Sequence, residues 1–265
     1  MKKNLFSMLV ISVLALAFVD CANPAGENNA GGSTGGSSYS AKYAVGDIIL
    51  NDGSIVNYET AKNYTGSDLD GLKSKAIAVI FRADTASKKA LGVGLKHNRS
   101  GLVWCKSYAN AYNKNIETIQ CPASGDAGNL TFTGDTDGSD NLEQIASFLT
   151  TAGLENDTTD ASKYPAFYFA KNYKTTATNL GAAYENGWYL PTVAELFDIW
   201  KVKATVDAAS SLCGGSQFGN SIYWSSTQID WSGCAAYPLR FNDGGWNYGF
   251  KDASNVPVCA VRAFN

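Results

Sequence analysis

The sequence has one histidine, His97, and that scarcity excludes several classes of chemistry. A single imidazole cannot form the pair of histidine ligands that many metal sites use. It also argues against a nucleophilic triad at Ser225 or Ser226, since such a triad needs a nearby base. We therefore predict no catalytic residue, no metal and no cofactor. His97 is expected in a loop or at the surface, and the two serines are expected to form strand-end hydrogen bonds.

Charged residues are also sparse. They make up 17% of the chain, the formal net charge is -3, and no block of basic residues is present. Binding to nucleic acid depends on lysines and arginines that neutralise phosphates, so this composition argues against it. Aromatic residues reach 12%, and they serve both cores and contact surfaces.

A short apolar run near the N-terminus predicts export. Two lysines precede the apolar residues 5–19, a run shorter than a membrane-spanning helix usually requires. We interpret residues 1–20 as a signal peptide and Cys21, directly after it, as the lipidation site of a bacterial lipoprotein. The alternative is ordinary cleavage after Ala17, which would release a soluble protein.

Residues 21–41 are rich in Gly, Ser, Asn and Ala, a composition that predicts a flexible tether. Its average span would be roughly 25 Å, enough to hold a domain clear of the lipid headgroups. Residues 42–265 match the size of one large domain. We expect this domain at the cell surface, on the outer membrane, with the lipid anchor as its link to the membrane.

Leaving the lipidation site aside, five cysteines remain, and an exported protein can form disulfides. An odd number leaves one unpaired, and we assign that role to Cys234. Of the three connectivities open to the other four, we favour Cys105 with Cys121 and Cys213 with Cys259, since the second pair would join a helix end to the last strand. The alternative is that these cysteines are free, buried thiols.

Periodicity and capping signals predict a mixed fold. Thr192 and Glu195 form a capping-box pattern behind Pro191, and Leu196 and Ile199 continue one face of the helix that follows. A second helix is predicted at residues 141–151, with Asp140 as its N-cap, and residues 165–173 fit either a helix or a strand. Strands are predicted within residues 43–56, on both sides of a hairpin turn at 51–53. Further strands are predicted at 76–82, 91–95, 222–227, 235–242, 246–251 and 257–264. Helices first and strands last indicate the α+β class.

The C-terminal segment combines a strand-like frame with residues that strands avoid. Apolar residues alternate at Tyr237, Leu239 and Phe241, so their neighbours would face outwards: Ala236, Pro238 and Arg240. Gly, Pro, Asp and Asn crowd the same segment, although they are poor strand residues. The outward face therefore indicates selection for contact and not for strand stability.

The residues between the frame positions fit a particular mutational alphabet. Randomising the two adenines of an AAC or AAT codon reaches many residue types but never Lys, Glu, Gln, Met or Trp. We call the residues between the apolar frame positions of this segment fillers. Most fillers in residues 222–257 can be reached by such mutation, whereas Trp231 and Trp246 cannot. Within a hypervariable region at about residues 220–258, the predicted ligand-binding face consists of Ile222, Ile229, Asp230, Trp231, Ser232, Cys234, Pro238, Arg240, Asp243, Trp246, Asn247, Tyr248, Phe250, Asp252, Ser254 and Asn255.

Several motifs establish a resemblance to a known family. They are Gly187-Trp188-Tyr189-Leu190-Pro191-Thr192 with Glu195, Trp224-Ser225-Ser226-Thr227-Gln228, Leu239, Phe241, Gly244, Lys251 and Cys259-Ala260-Val261-Arg262-Ala263-Phe264. In these residues the chain resembles the variable lipoproteins of diversity-generating retroelements in treponemes. The resemblance implies a C-type lectin fold of the formylglycine-generating-enzyme type, in which one strand face displays variable side chains to a ligand. Those enzymes bind copper through two closely spaced cysteines, whereas Cys259 has no such partner in this sequence. We therefore expect the fold of these enzymes without their oxidase activity.

Two acidic patterns are similar to calcium sites. Asp135, Asp137 and Ser139 place oxygen atoms at alternate positions, with Asp140 next, as in a calcium loop, but the order of ligands in an EF-hand is not met. We favour a solvated turn that caps the next helix. Asn242 and Asp243 follow an aromatic residue, as in the sugar-binding motif of animal lectins, but the motif's Glu-Pro-Asn or Gln-Pro-Asp partner is missing. We therefore do not predict calcium-mediated sugar binding.

These observations predict a surface-displayed lipoprotein that binds an extracellular protein or a glycan. Two alternatives remain open. One is an enzyme on the same fold, whose activity would be lost on changing Cys259 or Cys234 to Ser. The other is a structural envelope lipoprotein whose C-terminal segment is merely rich in loops.

Overall fold

The structure of the protein, a computed structural model, describes residues 40–265. The predicted signal peptide, the lipidation site at Cys21 and nearly all of the predicted tether lie outside the described residues. Within the described part of the chain, no helix combines the length and the apolar character needed to cross a bilayer.

Short helices and strands share the chain, and the predicted α+β class is confirmed. The α-helices are Tyr58–Ala61 (α1), Gly66–Lys75 (α2), Asn141–Thr151 (α3), Pro165–Lys171 (α4), Val193–Lys201 (α5) and Lys203–Leu212 (α6). The strands are Ile48–Leu50 (β1), Ile55–Val56 (β2), Ala76–Arg82 (β3), Ala90–Gly94 (β4), Asn98–Leu102 (β5), Ala123–Ser124 (β6), Thr131–Phe132 (β7), Trp188–Tyr189 (β8), Ile222–Gln228 (β9), Ala235–Arg240 (β10), Gly249–Phe250 (β11), Val256–Val258 (β12) and Val261–Phe264 (β13).

A six-stranded antiparallel sheet has the order β2-β1-β3-β4-β13-β8. Strands β1 and β2 form the predicted hairpin, in which Gly53 adopts a φ of 88° that favours glycine. The C-terminal strand β13 lies between β4 and β8, with Val261 opposite both Val93 and Tyr189. The end of the chain is therefore part of the sheet that its beginning forms.

Strands β9, β10 and β11 form a second antiparallel sheet. Strands β9 and β10 confirm the predictions at residues 222–227 and 235–242, whereas the strand predicted at 246–251 contracts to Gly249–Phe250. The strand predicted at 257–264 divides in two. Its first part, β12, pairs with β5, and its second part, β13, joins the six-stranded sheet.

Two apolar cores flank strand β10. Ala236 packs with Trp224 in one core, while Leu239 and Phe241 pack in the other. Ala236 and Pro238 are both buried, so the prediction that they face outwards is wrong. The alternation along β10 is real, but it separates two interiors instead of an interior from solvent.

The predicted capping box of α5 is confirmed. Thr192 Oγ1 accepts a hydrogen bond from the Glu195 amide (3.2 Å), and Glu195 Oε2 accepts one from the Thr192 amide (2.9 Å). The buried Glu195 carboxylate also accepts a bond from the Tyr189 hydroxyl (2.8 Å), and desolvation raises its pKa to about 7. Helix α3 occupies its predicted residues, but the side chain of Asp140 bonds to Gln144 (2.8 Å) and does not cap the helix.

The five cysteines in the described chain are free thiols, so the predicted disulfides are corrected: neither Cys105 with Cys121 nor Cys213 with Cys259 is bonded. Cys105 and Cys121 belong to different cores, which separates the first pair. Burial raises the pKa of all four thiols and keeps them protonated. The alternative of buried free thiols describes the structure.

Candidate binding surface

Strand β9 forms the base of the predicted binding face, and residues 223–229 are all buried. The Ser225 hydroxyl donates to the Tyr237 carbonyl of β10, and Ser226 Oγ accepts a hydrogen bond from the Asn141 side chain of α3 (2.7 Å). Both serines lie within the strand and not at its end, where they were predicted. They join the base of the face to its neighbours and hold it in place.

Lys251 also supports the predicted face from below, and its side chain is fully buried. Its Nζ donates to the Ala111 carbonyl (3.1 Å) and to Gln228 Oε1 (3.0 Å), and it lies 4.6 Å from the centroid of the Trp104 ring. Its backbone amide donates to the Cys234 carbonyl (2.9 Å). Desolvation lowers the pKa of Lys251 to about 8. Lys251 is one of the motif residues of the family resemblance, but a lone lysine in a polar segment does not by itself predict burial.

The predicted face divides into three groups by exposure. Its exposed members, which we call the display surface, are Asp230, Trp231, Tyr248, Phe250, Asp252, Ser254 and Asn255. Its half-buried members are Ile222, Ser232, Cys234, Arg240, Asp243, Trp246 and Asn247. Ile229 and Pro238 are buried, which corrects their assignment to the face: Ile229 is 0% exposed, and Pro238 lies opposite Trp224 in the pairing of β9 with β10.

Three large aromatic side chains project from the display surface. Trp231, Tyr248 and Phe250 are 61%, 54% and 57% exposed. Trp231 and Tyr248 pack edge to face, with ring centroids 5.6 Å apart and an angle of 70° between the rings. In such a pair the edge of one ring covers a face of the other, and more than half of each of the three side chains remains accessible to a ligand.

Two carboxylates of the display surface are held by tyrosine hydroxyls. The Tyr237 hydroxyl donates to Asp230 Oδ1 (3.1 Å), and the Tyr112 hydroxyl donates to Asp252 Oδ1 (3.0 Å). Desolvation and the bond to Asp252 raise the pKa of Tyr112 to about 12, so it remains a donor at neutral pH. Tyr112 comes from a distant loop, and sequence reasoning missed it because only tertiary structure brings that loop to the face.

A tight turn after β10 fixes the half-buried residues. Arg240 Nε and Nη2 donate to the Asp243 carboxylate at 3.1 and 2.9 Å, and Asp243 also accepts a bond from the Gly245 amide (2.9 Å). Gly244 adopts a φ of 69° against the Trp200 ring, where a Cβ would lie 2.5 Å from ring atoms. Arg240 and Asp243 thus neutralise each other and shape the edge of the face.

His97 lies in the loop between β4 and β5, which is one of its two predicted settings, and it is half-buried. Its Nδ1 lies 2.9 Å from the Tyr223 hydroxyl, and its ring packs on Phe218 with centroids 4.6 Å apart. Desolvation lowers its pKa to about 3, so it is neutral at physiological pH. Its amide also donates to Ser216 Oγ (3.2 Å), so these contacts fix the loop against its neighbours.

The acidic stretch forms a turn. Asp135 Oδ1 accepts a hydrogen bond from the Asp137 amide (3.1 Å), and Asp137 Oδ1 accepts one from the Ser139 amide (3.0 Å). Across residues 40–265, no group of three or more His, Cys, Asp or Glu side chains is arranged to hold a metal ion. The carboxylates cap the backbone of the turn that precedes α3.

Comparison with known proteins gives a likeness of fold to a solved structure. No family model matches the chain, and no curated protein matches it. Its structure is similar to that of a fimbrial protein from Bacteroides ovatus, with a TM-score of 0.54 and 14% sequence identity, covering 84% of this chain and 49% of that protein. The chain thus spans about half the length of the fimbrial protein, and the likeness is one of fold.

Proposed function

We propose that the chain is a surface-displayed, ligand-binding lipoprotein of the kind encoded beside treponemal diversity-generating retroelements. In this proposal Cys21 holds the lipid, and the folded part has a C-type lectin fold of the formylglycine-generating-enzyme type. The display surface binds an extracellular protein or a glycan. Its side chains differ between gene copies, while the frame beneath them is constant.

The main support is the division between frame and display surface. The frame residues Trp224, Leu239, Phe241 and Val261 are at most 1% exposed. The members of the display surface, which are their near neighbours in sequence, are exposed. Substitutions at exposed positions without special contacts usually change stability by about 0.5 kcal/mol or less, so such a surface can vary while the fold persists.

The network below the surface gives further support. Lys251 and Gln228 are buried and bonded to each other, and they link strand β9 to the loop that carries Tyr112. A rigid base lowers the entropic cost of binding, because fewer groups must be ordered when the ligand arrives.

The proposed location depends on the N-terminal sequence, with its apolar run before Cys21. The likeness to a fimbrial protein is consistent with a cell-surface setting. The enzyme alternative has little support at Cys259, because burial raises the pKa of that thiol and so disfavours the nucleophilic thiolate.

Two experiments test the proposal. Sequencing downstream of the gene should find a reverse transcriptase and a near-copy of the 3′ segment, with adenines where codons of the display surface differ. A variant with Trp231, Tyr248, Phe250 and Asn255 all changed to Ser should keep its thermal unfolding midpoint within a few degrees of the wild type. Absence of the near-copy, or a variant that does not fold, would contradict the proposal.

A further inference from the structure

The display surface of this chain is acidic. Its charged members are Asp230 and Asp252, both exposed. The cations of the same segment do not offset them, because Arg240 is ion-paired to Asp243 at 2.9 Å and Lys251 is buried. The surface therefore presents two carboxylates to a ligand.

Both carboxylates are fixed before a ligand arrives. The hydroxyls of Tyr237 and Tyr112 bond to Oδ1 of Asp230 and Asp252 respectively. Among the described residues, no donor bonds to Oδ2 of either carboxylate, so those oxygens can accept hydrogen bonds from a ligand. Such charge-assisted bonds are stronger than bonds between neutral groups.

The exposed aromatic residues next to these aspartates in the sequence favour the same ligand. Trp231 directly follows Asp230 in the chain and packs against Tyr248, and Phe250 is two residues from Asp252. The faces of Trp and Tyr rings attract cations, above all a guanidinium, which also stacks on them. Exposed aromatic rings and fixed carboxylates together are complementary to a planar cation.

We propose that this display surface binds arginine or lysine side chains of an extracellular protein segment. The inference rests on the proposed function, since it takes the display surface as the ligand site, and it adds the chemical class of the partner. Lys114 lies on the loop next to Gly233, since its backbone carbonyl carbon is 3.1 Å from the position of a Cβ on Gly233, so its positive charge is expected to oppose such a ligand.

The test uses three probes on the immobilised full chain: a peptide of Arg-Gly-Ser repeats, the matching Glu-Gly-Ser peptide and a neutral chitin oligosaccharide. The arginine peptide should bind about tenfold or more tightly than the glutamate peptide. Trp231→Ala and Asp230→Asn should each weaken it by about threefold to thirtyfold. Lys114→Ala should strengthen it, and Asp70→Asn, which removes an exposed carboxylate from α2, should leave it unchanged.

Several outcomes would overturn the inference: equal binding of the two peptides, binding of neither, or loss of affinity in Asp70→Asn as large as in Asp230→Asn. If the oligosaccharide binds in a manner that depends on Trp231 while the arginine peptide does not, the ligand class is wrong and the proposed function stands. Failure of the proposed function would be seen separately, as the absence of a reverse transcriptase and a near-copy of the 3′ segment in the DNA downstream of the gene.

Discussion

The ammonium group of Lys251 lies 4.6 Å from the centroid of the Trp104 ring, and both side chains are fully buried. The ring face attracts the cation, and Ala111 and Gln228 accept its hydrogen bonds. The two hydrogen bonds join strand β9, through Gln228, to the loop that carries Tyr112, through Ala111. Lys251 is thus part of the interior that supports the display surface and is not available to a ligand.

Lys251→Met is expected to lower the free energy of unfolding by about 1–3 kcal/mol, because two buried oxygens lose their donor. The loss should depend on pH. The pKa of Lys251 falls from 10.5 to about 8 on folding, so the unfolded chain binds more protons between these values. The wild type should therefore gain stability over the variant as the pH rises from about 8 to about 10.5. Urea unfolding of both proteins across this range measures the difference, and a constant difference would contradict the burial of the amine.

Glu195 should produce the opposite slope at lower pH. Its pKa rises from 4.5 to about 7 on folding, so the folded chain binds more protons in that interval, and stability should fall as the pH rises through it. The effect is on the order of 3 kcal/mol. Glu195→Gln should remove this slope, whereas Glu143→Gln, on the exposed side of α3, should retain it. If the wild type is as stable at pH 7 as at pH 5, or if Glu195→Gln shows the same pH dependence as the wild type, the pKa of Glu195 is not raised.

The sequence was most informative where local signals and burial agree. The capping box of Thr192 and Glu195 and the apolar run of β3 needed only neighbouring residues, and both were predicted correctly. Residues 246–251 were predicted as a longer strand, but pairing reaches only Gly249 and Phe250. Pairing depends on a partner strand, which periodicity within one segment does not reveal.

The exposure of the residues in the predicted binding face was anticipated only in part, for a similar reason. Period-two alternation predicts which residues share a face of β10, but not what covers each face. Both faces are covered, so Pro238 is buried, and Ile229 is buried at the end of β9. The loop with Tyr112 reaches the face only through tertiary packing, as does the bond between Lys251 and Ala111.

Gly249 illustrates a filler that the structure constrains. A Cβ at this position would lie 2.5 Å from Cη2 of the buried Trp224 ring, so Gly249→Ala should lower the free energy of unfolding by about 1–3 kcal/mol. Gly71 is the control, since a Cβ there has no atom within 4 Å and the residue lies inside α2. Gly71→Ala should raise stability by about 0.5–1 kcal/mol. Thermal unfolding of the two variants tests the contrast, and equal effects would refute the close approach of Gly249 to Trp224.

Ile229 and Trp231 should respond in opposite ways to the same substitution. Ile229 is 0% exposed, so Ile229→Ala should cost about 2–5 kcal/mol of folding free energy through lost burial and the cavity left behind. Trp231 is 61% exposed, and Trp231→Ala should change stability by about 0.5 kcal/mol or less. Chemical denaturation of both variants measures these values. If Ile229→Ala were as stable as Trp231→Ala, Ile229 would belong to the display surface after all. If the proposed function is also right, sister copies of the gene should keep an apolar residue at 229, because the fold depends on that side chain, while position 248 varies.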